Sequence, residues 1–317
     1  MGPVDGSLLP QKRKEIKGVD WTLNRIEEKF IKTANIIFPN EYKEIYLEKM
    51  KDPNIIPVAF GNHYDHWNGV SMAIIMKTLT ELANTVRDPN NPFKGFLMPV
   101  SASLATGKQG MFLKGIFNNV NMDLFITKYH TQMVPCVTKN DIKKRHMTDI
   151  TNTRLLHEVM RIARNNNGGV CFFPEQTVEG GRRIKEGEFK GHRKGVQEFD
   201  SELIDMMTNR LDEELLYFPM GFHGPNLVHT DSGIPTRKFW RGMRNNNPED
   251  LNGIINIQVG KPVTSSELNE TIVKEKNGGE ITKEDVSKKL RDMLVQLLPS
   301  DFLPPKHTQL ISYPSGS

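Results

Sequence analysis

The chain has 317 residues, 42 Lys and Arg against 38 Asp and Glu for a net charge of +4, 37 % hydrophobic residues and a mean hydropathy of −0.49. That balance is too weakly basic to argue for nucleic acid, and no apolar stretch approaches the ~18 residues of a membrane-spanning helix, so any lipid contact is expected to be peripheral. The length suits one α/β domain lengthened by insertions, and the mild positive bias suits anionic phosphates or an anionic membrane face.

Residues 1–17 are polar and are expected to be a flexible N-terminus. They lack the charged region, apolar core and cleavage site of a secretory signal, which predicts a cytoplasmic protein. A domain is expected over 18–303, with N-terminal helices in 18–50 and a tail at 304–317. Asp20 is placed to cap an amphipathic helix over Trp21 to Ala34. Trp21, Leu23, Ile26, Phe30, Ile31 and Ile36 form its apolar face, which either packs on the domain or lies on a membrane surface. The apolar run Ile55 to Phe60, bounded by Gly61 and Asn62, reads as a buried strand. It delivers His63 at a strand end, where open α/β sheets place their binding crevices. Val70 to Val86 has helical spacing, so the histidine loop leads into a helix N-terminus, whose partial positive charge and free amides favour an anion.

A Pro- and Asn-rich loop, Arg87 to Pro92, precedes a strand at Phe96 to Val100. A helix at Gly107 to Phe117, strands at Leu124 to Ile126 and Met133 to Val137, and a helix from Asp149 to Arg164 follow, the last closing in Asn165-Asn166-Asn167-Gly168-Gly169. A further apolar strand ends in Phe173-Pro174-Glu175, where the proline halts the ladder and the carboxylate is aimed at the same crevice. Helices at Thr264 to Glu270 and Lys283 to Leu298 close the domain. Alternating strands and helices predict an α/β fold, a mixed, mostly parallel sheet flanked by helices. Cys136 and Cys171 lie inside apolar runs and are expected to be buried free thiols in a reducing compartment. No metal-ligand spacing of the common kinds occurs, and no metal or cofactor is expected.

Two segments carry chemistry: Asn62-His63-Tyr64-Asp65-His66-Trp67-Asn68 and Phe173-Pro174-Glu175-Gln176-Thr177-Val178-Glu179. With Phe189-Lys190-Gly191-His192-Arg193-Lys194-Gly195, Leu216-Tyr217-Phe218-Pro219-Met220-Gly221 and Ile255 to Val263, they resemble, in order across roughly residues 50 to 265, the motifs of the glycerolipid acyltransferases, the lysophosphatidate and glycerol-phosphate acyltransferases. The first family motif is Asn-His, four intervening residues and Asp; the third is Phe-Pro-Glu-Gly-Thr-Arg-Ser. This chain departs from both. Asn68 stands where the family has Asp, and Gln176, Val178 and Glu179 replace Gly, Arg and Ser.

The resemblance implies an acyltransferase-like fold and acyl transfer from acyl-CoA or acyl carrier protein to the hydroxyl of a phosphate-bearing lipid acceptor, with no cofactor beyond that co-substrate. An alcohol is a poor nucleophile near neutral pH, so His63 is the candidate general base. The family's Asp would hold the far ring nitrogen and stabilise the imidazolium, whereas Asn68 supplies no charge. An inactivated variant, a natural pseudoenzyme, or a different partner in Asp65 or His66 would each account for it. For substrate phosphate the resemblance points to a basic residue closing a strand, Lys139 in preference to Lys128, with Arg182 and Arg183 in place of the missing motif arginine. Glu175 and Thr177 complete the expected substrate-binding set. The basic run Lys185, Lys190, His192, Arg193 and Lys194 is either a solvated face or a contact for coenzyme A phosphates or acyl carrier protein. Related enzymes sit on bilayers through N-terminal helices, which tilts the first amphipathic segment toward peripheral membrane contact. A thioester or ester hydrolase is a weaker reading, because no Gly-x-Ser-x-Gly nucleophile elbow occurs.

Overall fold

The computed structural model describes residues 34–63, 68–101, 129–136, 159–161, 163–165, 167–174, 196, 198–199, 201–208, 213–223 and 255–299. Its strands are β1 (Ala34–Ile37), β2 (Ile56–Gly61), β3 (Phe96–Ser101), β4 (Thr131–Cys136), β5 (Gly169–Phe172), β6 (Leu215–His223), β7 (Ile255–Val259) and β8 (Val263–Thr264). Its helices are α1 (Asn40–Met50), α2 (Asn68–Asn84), α3 (Ser201–Thr208), α4 (Ser265–Glu275) and α5 (Lys283–Val295). Residues 159–161 and 163–165 are also helical, at the end of the helix expected from Asp149. The N-terminal helix before Ala34, the elements expected at 107–117 and 124–126, and the 304–317 tail lie outside the described residues.

The strands form one sheet in the order β1-β7-β6-β2-β5-β3-β4, with β8 paired to β6. Strands β6, β2, β5, β3 and β4 are mutually parallel; β7 and β8 run antiparallel to β6, and β1 is parallel to β7. This is the expected mixed, mostly parallel sheet with flanking helices. The carboxyl ends of β2, β5 and β6 therefore meet along one edge.

Central strands buried on both faces need continuous apolar sequence, and every residue of β2 and β5 is buried. Adjacent strand residues face opposite sides, so Phe218 and Phe60, which pairs with Pro219, look opposite ways. Phe218 meets the edge of Tyr46 on α1 at 5.7 Å, and Phe60 meets Phe199, just before α3, at 6.1 Å. Tyr46 is fully buried, and its hydroxyl donates to the Leu79 carbonyl of α2 at 3.0 Å, tying the two helices of that face. On the other face, Ser287 of α5 donates to the Phe199 carbonyl at 3.2 Å.

One expected element is corrected. Ala34 and Ile36 belong to strand β1 and not to the amphipathic helix, and Ile36 and Ile37 are 39 % and 45 % exposed on this edge strand. Consecutive β-branched residues favour extended backbone, and the Phe38-Pro39 step excludes helical geometry just beyond. Helix α2 begins at Asn68, earlier than expected. Helix α4 runs to Glu275, beyond the expected Glu270, and Thr264 is its cap: Thr264 Oγ1 accepts from Glu267 N–H and Glu267 Oε2 accepts from Thr264 N–H. Helix α5 ends at Val295, short of Leu298. Helix α3 had no sequence expectation.

The start of α5 is fixed by a carboxylate. Asp285 accepts from Lys276 Nζ at 2.6 Å and from the Thr282 backbone and hydroxyl, both at 2.8 Å. Lys276 first and Thr282 second hold its pKa down at about 2, against an ordinary 3.8. The folded value lies below the unfolded one, so this contribution is present above pH 3.8 and disappears as pH falls toward 2. Asp285→Asn is expected to lower the melting temperature near neutral pH, with the gap from wild type closing through that acid window. A gap that persists unchanged at its acid end would show that the carboxylate's charge is not what stabilises the turn.

Candidate functional site

The site is built where β2 ends. The parallel ladder between β2 and β6 runs to the pair Gly61 and Met220. One step further, the chain changes how it pairs. Asn62 is 3 % exposed; its Nδ2 donates to the Phe222 carbonyl at 2.8 Å and its Oδ1 accepts from the Phe222 N–H at 2.7 Å. A side-chain amide carries one donor and one acceptor, the same pair that a strand residue offers, so Asn62 adds a rung to the sheet. Its own backbone is released to turn, and His63 is the first residue out.

Gly61 permits this closeness. A β-carbon there would stand 2.5 Å from the Phe222 ring and 2.9 Å from the Met220 carbonyl, so any larger residue would push β2 away from β6. The Phe222 ring occupies the space that a side chain at Gly61 would need.

The half-buried imidazole of His63 lies on the ring of Phe173, with centroids 4.4 Å apart and planes inclined by 18°. Phe173 leaves the end of β5, which pairs with β2 through Phe60 and Phe172, and its ring also meets that of Phe222, with centroids 6.3 Å apart. Pro174 follows in a buried turn. The two segments singled out in the sequence are thus brought into contact at the carboxyl edge of the sheet. Asn68, also singled out, opens helix α2, five positions after His63 in the chain. Asp65, Lys128, Lys139, Glu175, Thr177, Arg182, Arg183 and the basic run from Lys185 to Lys194 lie outside the described residues.

Cys171 is excluded from chemistry by its position. It is fully buried within β5, and burial pushes its thiol well above the ordinary range, which leaves no reactive thiolate. Cys136 closes β4; its side chain is outside the described residues. Among the described residues, no group of three or more His, Cys, Asp or Glu is arranged to hold a metal ion, and no helix is long and apolar enough to cross a membrane.

Two contributors were not legible as such. Asn62 stood in the sequence beside His63 without a role, and the aromatic floor of Phe173 and Phe222 had no signal beyond two phenylalanines at strand ends. An Asn directly after a buried strand, just where the chain must leave the ladder, is the pattern to look for.

No protein-family model matches the sequence, and no curated protein matches it significantly. The glycerolipid acyltransferase likeness therefore rests on the motif residues themselves.

Asn62→Ala would leave the Phe222 N–H and carbonyl buried without partners, and about 2–4 kcal/mol of stability should be lost. Denaturant unfolding measures it. A loss below about 0.5 kcal/mol, within the range of an ordinary surface change, would show that Asn62 does not hold the strand end.

Proposed function

We propose that this protein is an O-acyltransferase that moves a fatty acyl group from acyl-CoA or acyl carrier protein to the hydroxyl of a glycerol-phosphate-type acceptor. The observation that carries this reading is the meeting of His63 with Phe173 at one sheet edge, because general-base catalysis and acceptor recognition need the two motif segments in one crevice. His63 takes the acceptor's hydroxyl proton as its oxygen bonds to the thioester carbonyl carbon. The tetrahedral intermediate then collapses, the carbon–sulfur bond breaks, and the departing thiolate takes the proton back from the imidazolium. Ester and free thiol are the products.

The phosphate of the acceptor calls for cations and backbone amides. The proposed phosphate site combines backbone amides of the helix that starts at Asn68 with Lys139, Lys128, Arg182 and Arg183 as cations, and Glu175 and Thr177 as holders of the acceptor's hydroxyl end. A cytoplasmic, peripheral membrane location goes with such an acceptor. Ile36 and Ile37, exposed on the edge strand that follows the amphipathic segment, support that contact.

A second reading, a catalytically impaired or non-catalytic lipid-binding member of the same fold, is favoured by Asn68 alone. In a serine protease the matching Asp-to-Asn change lowers turnover by about 10⁴. Thiol release from acyl-CoA, followed with and without a lysophospholipid or glycerol phosphate, separates the readings. Acyl transfer predicts release that depends on the acceptor and falls at least about 10²-fold in His63→Ala. Release indifferent to acceptor, or a fully active His63→Ala, would overturn it. No release from the native chain, with release appearing in Asn68→Asp, would establish the impaired reading; an active native chain unmoved by Asn68→Asp would assign the imidazolium's partner to Asp65 or His66.

A further inference from the structure

We propose that Phe173 is a positioning residue for His63, setting the plane in which the imidazole accepts a proton. The lone pair of a ring nitrogen lies in the ring plane, so a general base reaches its proton only when that plane points at it. The torsion between Cβ and the imidazole is broad and roughly two-fold, and a residue beyond a strand end does not set it by itself. Something outside the residue must.

The contacts form a closed circuit. Asn62 fixes the backbone immediately before His63 to the Phe222 backbone; the Phe222 ring meets Phe173 at 6.3 Å; the Phe173 ring lies 4.4 Å from the imidazole at 18°. Backbone and ring of the same histidine are thus referred to one framework of three strand ends. A flat ring laid parallel on the imidazole favours one plane over all tilted ones, as an aliphatic side chain of similar bulk does not. It also covers one imidazole face. Phe173 touches no reacting atom; it acts through His63.

The catalytic consequence rests on the acyltransferase reading, and the geometric one does not, so two readouts are needed. In protein labelled at its histidines, the His63 ring protons are assigned by their absence from His63→Ala, and their chemical shifts are compared with those in Phe173→Leu and Phe173→Tyr. Loss of the stacked ring current moves them downfield in Phe173→Leu, and Phe173→Tyr retains the native shift. In acceptor-dependent thiol release, Phe173→Leu lowers kcat about 10- to 100-fold, the range of a misplaced catalytic group, with KM within about two-fold, and Phe173→Tyr restores kcat. Unmoved resonances in folded Phe173→Leu, or moved resonances with unchanged kcat, would overturn the inference. Resonances that move while native protein and His63→Ala are equally inactive would uphold the geometry and remove the acyltransferase reading instead.

Discussion

The amide of Asn62 bonded to both backbone groups of Phe222 is the constraint on which the rest of the site depends. A strand at the middle of a parallel sheet must satisfy its neighbours' backbone groups as far as those neighbours extend, and β6 extends to His223, beyond the Gly61 pairing. Were β2 to continue as a strand, His63 would be one more sheet residue. Were it to leave without replacement, Phe222 would carry two buried, unsatisfied polar groups. The side-chain amide resolves the conflict by finishing the ladder while the backbone departs. Gly61 makes the approach possible and Phe222 fills the space, so three consecutive residues, Gly61, Asn62 and His63, do three different jobs at one strand terminus.

Sheet order turns this local device into a site. Because β2 lies between β5 and β6, a residue leaving its carboxyl end has the terminus of each neighbour on either side. One neighbour supplies the backbone that Asn62 grips and the other supplies the ring on which the imidazole rests. The following helix then starts at Asn68. Buried, closely packed strands make that arrangement stiff, and a general base benefits from stiffness because proton transfer is directional.

Much of the fold could be read from the sequence for a physical reason. Strands β2 and β5 are buried on both faces, so they are continuous apolar runs that need no partner to be recognised. Edge strand β1 was misjudged because a short exposed strand has no apolar period: Ile36 and Ile37 fit an amphipathic helix as well until Pro39 is weighed. Helix α3 was missed because eight residues give barely two turns of pattern. In the site, His63 was legible because a motif announced it, whereas Asn62 bonds to a residue 160 positions away and Phe173 acts through a ring contact. Neither relationship exists at the level of spacing. The proposed phosphate-binding residues fall beyond the described residues and keep only their sequence argument.

The proposed acyl transfer takes place at the edge shared by β2, β5 and β6. Its most direct test is a crystal structure with a non-hydrolysable acyl-CoA thioether. The expected result is that the carbon standing for the thioester carbonyl lies roughly 3–4 Å beyond an acceptor position in the plane of the His63 imidazole, as a near-attack geometry requires. A ligand bound on another face of the sheet, or with its reactive carbon buried away from His63, would contradict it.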